Sequence, residues 1–306
     1  MQKRKLGKSG LEIAPLVLGG NVFGWTADKE TSFAVLDAFI DAGFNAIDTA
    51  DVYSIWVPGH QGGESETVIG EWMKSRGNRD RIVLITKVGY SKGLKAGYIL
   101  SAVEDSLRRL KTDRIDLYFS HKPDPSTPIE ETLEAHQKLI DAGKIRAAGA
   151  SNYDAAGLKK ALSKAGDGRA RYSVLQPHYN LLVRRMYEGS LENLCHKEGL
   201  GVTPYYSLAS GFLTGKYRSE ADLGKSARGG GMRENFNRRG LDILAGLDRV
   251  AAAHGATPAQ VALAWLMARP SVTAPIASAT SVAQLKELAL SADLKLAAED
   301  LKALDH

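Results

Sequence analysis

The chain has 306 residues, 44% of them hydrophobic and 25% charged, a composition that is typical of a globular protein and excludes disordered and fibrous classes. No apolar run approaches the roughly 18 residues of a membrane span, and the lone Cys195 excludes an internal disulfide, so we predict a cytoplasmic protein with no membrane partner. The net charge of +5 comes from basic residues that are spread along the chain among acids, which argues against a nucleic-acid partner.

Short apolar runs alternate with amphipathic helical stretches along the chain, which is typical of repeated βα units. Before the first run, residues 3–14 have two short segments around a Ser-Gly turn and predict a β-hairpin. The predicted strands are residues 15–19, 46–49, 82–88, 115–120, 145–151, 173–178, 201–206 and 273–278. The predicted helices are residues 31–43, 65–75, 99–110, 129–143, 155–166, 187–199, 241–255, 257–269 and 281–291.

Eight βα units can form either an open doubly wound sheet or a closed barrel. An open dinucleotide-binding sheet needs a G-x-G-x-x-G pattern after its first strand, and this chain lacks it. We therefore predict an α/β fold, a (β/α)8 TIM barrel with an N-terminal β-hairpin that plugs the barrel bottom and with extra C-terminal helices. No linker or composition break divides the chain, so residues 1–306 are expected to form a single barrel domain.

Polar side chains accumulate at the carboxyl ends of the predicted strands, although strands buried on both faces are otherwise apolar. They are Asp48, Lys87, His121, Ser151, Asn152, Gln176, Tyr205, Tyr206 and Ser278. Each has a structural explanation by itself: Asp48 could cap a turn, Lys87 could reach solvent, and His121 could be a core histidine. Together they would share the barrel mouth, where barrel enzymes place their chemistry. A lysine buried there would need a carboxylate partner, for which Asp48 is the candidate.

Seven segments of the chain resemble, in order and spacing, motifs of the aldo-keto reductase superfamily, in particular bacterial-type members related to the potassium-channel β-subunit-like branch. These segments are NAIDTADVYS, LITKVG, LYFSHKPDP, GASNY, LQPHYN, YYSLASGFLTGKY and IASATSVAQL. The resemblance implies NAD(P)H-dependent reduction of aldehyde or ketone carbonyls to alcohols, or the reverse reaction, on a small-molecule substrate. It also implies a catalytic tetrad of Asp48, Tyr53, Lys87 and His121.

Carbonyl reduction needs these residue types. Hydride addition leaves an oxygen that requires a proton, so Tyr53 is expected to act as general acid/base. An adjacent Lys87 ammonium favours the phenolate and is expected to lower the pKa of Tyr53, while Asp48 keeps that ammonium charged. His121 is expected to hydrogen-bond the carbonyl oxygen and orient the substrate.

The resemblance further implies where a cofactor binds. Ser151, Asn152 and Gln176 are expected to bind the nicotinamide carboxamide, with Tyr205 stacked on its ring. The remaining cofactor contacts are expected at Leu208, Ser210, Gly211, Leu213, Ser278, Thr280 and Gln284. Relatives that bind the 2′-phosphate of NADPH often have Lys or Arg at the last of these positions, and this chain does not. The expected cofactor is NADP(H), with NAD(H) as the alternative, and no metal is expected.

Two further segments are candidates for ligand contact. Trp25 and Trp56 could line an apolar substrate pocket or simply cover the barrel rim, and the loop of residues 54–66 that contains Trp56 is longer than in many relatives. Residues 225–239 are rich in glycine and arginine and predict either a solvated connection or a mobile flap over an anionic ligand.

Two rival functions are also considered. Lys87 at a strand tip could form a Schiff base with a carbonyl substrate, as in an aldolase-type lyase, but this leaves Tyr53 and the ordered motifs unexplained. The chain could instead be a cofactor-binding regulatory subunit without significant turnover, because the superfamily includes channel-associated members. The intact tetrad argues against this second rival. The sequence indicates no particular oligomeric state.

Overall fold

A two-stranded antiparallel hairpin begins the structure, a computed structural model that describes residues 2–226 and 229–305. Its strands are β1 (Arg4–Lys5) and β2 (Glu12–Ile13). The side chain of Asn45 ties the hairpin to the following sheet, because its Oδ1 accepts from the Ala14 amide at 2.9 Å and its Nδ2 donates to the Glu12 carbonyl at 3.0 Å. The predicted hairpin is therefore confirmed.

Eight parallel strands follow in one curled sheet. They are β3 (Val17–Gly19), β4 (Ala46–Asp48), β5 (Val83–Val88), β6 (Ile115–Ser120), β7 (Ile145–Ser151), β8 (Tyr172–Gln176), β9 (Gly201–Val202) and β10 (Ile276–Ala277). The order across the sheet is β10, then β3 through β9 in sequence. The sheet closes on itself, because the Thr273 amide donates to the Val202 carbonyl at 2.8 Å and the Ile276 amide donates to the Pro204 carbonyl at 2.9 Å. The predicted α/β barrel is confirmed.

Helices surround the sheet and connect its strands. They are α1 (Lys29–Asp41), α2 (Glu64–Arg76), α3 (Ala96–Leu110), α4 (Ile129–Asp141), α5 (Ala155–Ser163), α6 (Ser190–Glu198), α7 (Arg238–His254), α8 (Pro258–Met267), α9 (Val282–Ala289) and α10 (Ala298–Leu304). Their starts follow local chemistry: Asp28 caps α1 by accepting from the Thr31 amide at 2.8 Å, and Thr257 with Gln260 forms a capping box ahead of α8. None of the helices in the described residues is long and apolar enough to cross a membrane.

The hairpin covers the end of the barrel opposite the carboxyl ends of the strands. Leu6, Leu11 and Ile13 are buried in one cluster with inward-facing strand residues such as Val17 and Leu117. The approach is close enough that a Cβ on Gly7 would lie 2.1 Å from the Gly201 amide nitrogen. Burial of this apolar surface keeps water out of the barrel interior from below.

The last two barrel strands are shorter than the predicted ranges of 201–206 and 273–278. Strand β9 ends at Val202 and β10 begins at Ile276. Pro204 and Pro275 lie in the missing parts, and proline has no amide hydrogen to donate to a neighbouring strand. The regular ladder is therefore interrupted there, although single hydrogen bonds still close the barrel.

The glycine-rich segment of residues 225–239 contains a 3-10 helix at Gly229–Asn235 and joins the first turn of α7. Gly229 and Met232 are buried, and Arg239 donates to the Leu182 carbonyl at 2.7 Å. Two residues of the predicted flap, Ala227 and Arg228, lie outside the described residues. The described part of the segment packs against the barrel rim and supplies no residue to the cavity wall.

Candidate active site

A cavity of about 580 Å³ opens at the carboxyl ends of the barrel strands. Five strands contribute their last residue to its wall, namely Gly19, Asp48, Ser151, Gln176 and Ala277. Tyr53 in the loop after β4 and His121 directly after β6 line it as well. The parallel arrangement explains this convergence, since strands that all run in one direction deliver their following residues to one mouth.

Lys87 is fully buried beneath this cavity and does not line it. Its Nζ donates to Asp48 Oδ2 at 2.6 Å, to the Thr49 carbonyl at 2.7 Å and to the Tyr53 hydroxyl at 2.8 Å. An ammonium has three hydrogens, so each of them has an acceptor. The three bonds fix the nitrogen directly behind the Tyr53 hydroxyl.

Asp48 is the counter-ion of Lys87, and its second oxygen is also satisfied. Gln176 Nε2 donates to Asp48 Oδ1 at 2.9 Å. The Tyr53 hydroxyl also lies 3.4 Å from Asp48 Oδ2, as a longer hydrogen bond. A carboxylate buried at 2% exposure is stable only with such partners. Gln176 therefore holds Asp48 in place in addition to facing the cavity.

Burial and the nearest charged groups determine the ionisation of Tyr53. Burial raises the pKa of Tyr53 well above its ordinary value, and the neighbouring Asp48 carboxylate raises this pKa further. Burial also lowers the pKa of Lys87. The expected lowering of this pKa by Lys87 stays a prediction, because in the protein alone the lost hydration of a phenolate and the Asp48 carboxylate make the net shift of the Tyr53 pKa upward. Tyr53 is consequently a protonated phenol at neutral pH.

His121 lies on the cavity wall, with its ring 6.2 Å from the Tyr53 ring and 4.9 Å from the Tyr90 ring. Burial lowers the pKa of His121 to about 2, and the charges of Lys87 and Lys122 contribute to the same shift. The imidazole is therefore neutral, and one of its nitrogens carries a hydrogen that can be donated.

The expected carboxamide-binding residues form one connected network. Asn152 has a left-handed backbone with φ +62°, and its Nδ2 donates to the His121 carbonyl at 2.8 Å. Its Oδ1 accepts from the Tyr205 hydroxyl at 2.6 Å. Ser151 Oγ donates to the Gln176 carbonyl at 2.9 Å. The network orients amide and hydroxyl groups at one side of the cavity, beside the Tyr205 ring.

A tight turn after Tyr205 continues the cavity wall. Tyr206, Ala209 and Ser210 have positive φ angles, and Gly211 follows at φ +108°. Leu208, Ser210 and Gly211 line the cavity, whereas the expected contact residue Leu213 is buried in the core and does not. Lys216 also lines it and is exposed, a cation that sequence reasoning missed although it lies within the GKY end of a recognised motif.

The far end of the cavity is formed by the segment around α9. Ser278 and Gln284 line it, while Thr280 does not; instead, Thr280 donates to Gln284 Oε1 from both its amide and its hydroxyl. Ser278 Oγ lies 2.6 Å from Asn21 Oδ1, and Asn21 is a wall residue that sequence reasoning missed. Leu288 also lines the cavity. Asn21 follows β3 by two residues, so the expectation that polar residues at the carboxyl ends of strands line the barrel mouth could have found it.

Aromatic and aliphatic side chains form the outer mouth. Trp56 lines the cavity, and Trp25 packs edge-on against it with ring centroids 5.5 Å apart but does not line the cavity. Tyr90, Tyr206 and Ile55 complete the mouth and are each about half exposed. Tyr90 closely follows the end of β5, so its place at the barrel mouth could also have been predicted from the sequence.

Comparisons with known proteins agree with this geometry. Residues 15–306 match the sequence model of the Aldo/keto reductase family. The chain is 33% identical to an uncharacterized oxidoreductase, YrpG, of Bacillus subtilis, with 100% of this chain and 95% of the relative covered. It is 35% identical to a probable voltage-gated potassium channel subunit beta of Arabidopsis thaliana (94% and 90% covered). It is 32% identical to a norsolorinic acid reductase of Aspergillus flavus (97% and 78% covered).

Proposed function

The chain belongs to the aldo/keto reductase family, and from that premise we propose that it is an oxidoreductase that reduces aldehyde or ketone carbonyls with a nicotinamide cofactor, or oxidises the alcohols. The observation that carries the proposal is the Tyr53 hydroxyl at the cavity wall, 2.8 Å from a buried Lys87 ammonium. A proton donor held in this way at the wall of a cavity is what carbonyl reduction requires.

Tyr53 supplies the proton in this proposal. Its oxygen already accepts a hydrogen from Lys87, so its own hydrogen is free to turn from the long bond with Asp48 to a substrate oxygen in the cavity. As the carbonyl carbon gains hydride, its oxygen gains negative charge and takes the Tyr53 proton. Lys87 stabilises the phenolate that is left behind, because its ammonium is fixed beside that oxygen.

His121 orients the substrate. Its neutral ring faces the cavity together with Tyr53, so the two groups can hydrogen-bond one carbonyl oxygen. A neutral imidazole can donate a hydrogen bond to the substrate, and it places no second positive charge near the Lys87 ammonium. Preorganised donors of this kind stabilise developing charge because they need no rearrangement during the reaction.

The cavity wall fits a nicotinamide dinucleotide, which when bound supplies the hydride. Ser151, Asn152 and Gln176 offer the hydroxyl and amide groups that a carboxamide needs, and Tyr205 offers an aromatic face for a flat ring. At the other end, the turn at Ser210–Gly211 lets the backbone approach a pyrophosphate closely, since glycine has no Cβ. Lys216 places a cation beside that turn.

NADP(H) is the favoured cofactor in this proposal, with NAD(H) as a working alternative. A 2′-phosphate prefers charge-assisted donors, and Ser278 and Gln284 offer only neutral ones. Lys216 pairs with no carboxylate of the described residues and is the wall's available cation. Discrimination against NAD(H) therefore depends on one lysine and several neutral hydrogen bonds, which predicts a modest preference.

The Schiff-base lyase is disfavoured by the position of Lys87. A Schiff base forms only when a neutral amine attacks the substrate carbonyl carbon. Lys87 Nζ is enclosed by three oxygen acceptors and does not reach the cavity wall, which is closed above it by Tyr53. The regulatory-subunit alternative has support in the Arabidopsis relative's name, and turnover decides between them.

One assay tests the proposal. The purified protein is offered a panel of aldehydes, ketones and alcohols with NADPH, NADH, NADP⁺ and NAD⁺, and absorbance at the nicotinamide band is followed. Steady turnover with a carbonyl or alcohol substrate supports the oxidoreductase. Cofactor binding without turnover of any substrate supports the regulatory subunit, and an adduct trapped on Lys87 by borohydride supports the lyase.

A further inference from the structure

A second group of ionisable side chains lies behind the candidate active site, on the outer face of β5. Because successive strand side chains point to opposite faces, Thr86 points outward where Lys87 points inward. Thr86 Oγ1 donates to Glu66 Oε1 of α2 at 2.6 Å. Around this contact lie four further residues, which with Glu66 we call the rear cluster: Asp51, Tyr98, Arg109 and Tyr118.

One carboxyl of the rear cluster has no cation of its own. Glu66 is fully buried and pairs with Arg109 at 2.7 Å, and Lys87 pairs with Asp48. Asp51 forms no ion pair among the described residues, and its carboxyl accepts from the Tyr98 hydroxyl, 3.3 Å from Oδ2, and from the Gly89 amide. Its Oδ1 is sealed from solvent. Asp51 is therefore the carboxylate of the rear cluster that has no ion-pair partner among the described residues.

Asp51 is coupled to Lys87 through short covalent and hydrogen-bonded paths. Its amide donates to the Lys87 carbonyl at 3.2 Å. Asp51 also lies two residues after Thr49, whose carbonyl accepts from Lys87 Nζ at 2.7 Å. The negative charge of Asp51 raises the pKa of Lys87 and so opposes the dominant effect of burial, which lowers it.

We propose that Asp51 is a positioning residue whose carboxylate keeps Lys87 in the ammonium form on the alkaline side of neutrality. This inference rests on the proposed function, in which the Lys87 ammonium stabilises the Tyr53 phenolate. Asp51 does not line the cavity, so it acts through Lys87 rather than on the substrate.

The groups that face Asp51 set the pH range of this effect. Burial and the charge of Glu66 on α2 raise the pKa of Asp51 to about 7, while Tyr98 and Arg109 on α3 and the Gly89 amide lower this pKa without offsetting burial. Lys87 on β5 and the neutral Tyr118 on β6 complete the surroundings. Asp51 is therefore neutral at acid pH and charged above neutrality, where a buried lysine is most prone to lose its proton.

Asp51→Asn removes the charge and preserves the shape of the side chain. Below about pH 6, where Asp51 is already protonated, kcat of the variant should resemble that of the parent. At higher pH the alkaline limb of its kcat profile should move down by on the order of one pH unit, as expected for loss of a nearby unit charge. Asp51→Glu should restore much of the limb. Asp41→Asn, the same change at an exposed site outside the cavity, should keep the parent profile.

Two results overturn the proposal: an equal loss of kcat at every pH, which indicates a structural role, or an alkaline limb that does not move. A readout independent of turnover is the pH titration of Lys87 by NMR of lysine labelled at Cε and Nζ. Its midpoint should be lower in Asp51→Asn than in the parent, and equal midpoints refute the proposal. If the parent turns over no substrate, the proposed function fails while this titration still tests the coupling.

Discussion

The Tyr53 hydroxyl is held between an ammonium that donates to it and a carboxylate that can accept from it. Lys87 cannot be exchanged for another cation without loss of this geometry, because its three hydrogens have three separate acceptors. Burial raises the pKa of Tyr53, which keeps the proton on the phenol at neutral pH. At the scale of residues, the site therefore holds a protonated Tyr53 hydroxyl next to the fixed positive charge of Lys87.

Tyr53→Phe is predicted to abolish measurable turnover and to leave cofactor affinity nearly intact. The phenylalanine ring fills the same space but has no proton, and loss of general acid catalysis costs roughly 10²–10⁴ in rate. Steady-state kcat and cofactor binding by tryptophan fluorescence measure the two effects separately. Lys87→Met should lose activity to a similar degree, and a Tyr53→Phe variant with near-parent kcat would remove Tyr53 from the acid role.

Gln284→Arg is predicted to increase the preference for NADPH over NADH. A charged donor to phosphate contributes about 1.5–3 kcal/mol, against about 0.5–1.5 kcal/mol for a neutral one, so a gain of about tenfold is expected. The measurement is kcat/KM for both cofactors in parent and variant, with Lys216→Met as the comparison. A parent that already prefers NADPH by more than about a thousandfold, roughly 4 kcal/mol, would show that the phosphate site lies elsewhere.

At the scale of secondary-structure elements, helices α2 and α3 pack closely against each other. Gly70 makes this possible, since a Cβ there would lie 2.2 Å from the Arg109 carbonyl oxygen. The same two helices carry Glu66 and Arg109, whose ion pair lies behind the strand of Lys87. The packing of the outer helices is thereby connected to the electrostatics of the barrel interior.

Gly70→Ala is predicted to destabilise the protein by about 1–2 kcal/mol, although alanine is the better helix former by about 1 kcal/mol. The clash is with backbone, so α3 must shift to relieve it. Gly97→Ala is the matched control, because Gly97 also lies within a helix and a Cβ there meets nothing within 4 Å. Urea unfolding should separate the two variants in opposite directions, and equal stabilities would disprove the close-packing argument.

At the scale of the whole molecule, His136 is expected to affect stability, although it does not line the cavity. Its ring is fully buried near Tyr118 and Tyr172, and its Nδ1 lies 2.9 Å from the Thr132 carbonyl. Burial lowers the pKa of His136 from 6.5 to about 4. Between these values the unfolded chain binds a proton that the folded protein does not, so the free energy of unfolding falls as pH falls.

The contribution of His136 is predicted to be present above pH 6.5 and to be lost as pH falls towards 4, at a total of about 3 kcal/mol. His136→Phe removes the titrating group and keeps a ring. Urea unfolding at several pH values should give a shallower loss of stability for the variant than for the parent. Parallel curves over pH 7 to 4 would contradict the prediction, whatever the absolute stability of the variant.

The amino-acid sequence by itself was sufficient to predict the barrel, the hairpin and most of the cavity wall. The hydrophobic periodicity of each segment and the turn residues between segments identify βα units, because burial and chain geometry determine both locally. Parallel strands then deliver residues such as Asp48, His121 and Gln176 to one mouth wherever the barrel closes. Asn21 and Tyr90 follow the same rule and were overlooked.

Tertiary structure alone decided how those groups affect one another. The pKa of Tyr53 depends on lost hydration and on the distance to Asp48, and neither is encoded in the order of residues. The exclusion of Lys87 from the cavity and the presence of Lys216 on its wall likewise depend on how loops pack. Free energies of charged groups depend on the atoms within a few ångströms, and folding brings those atoms together from distant parts of the chain.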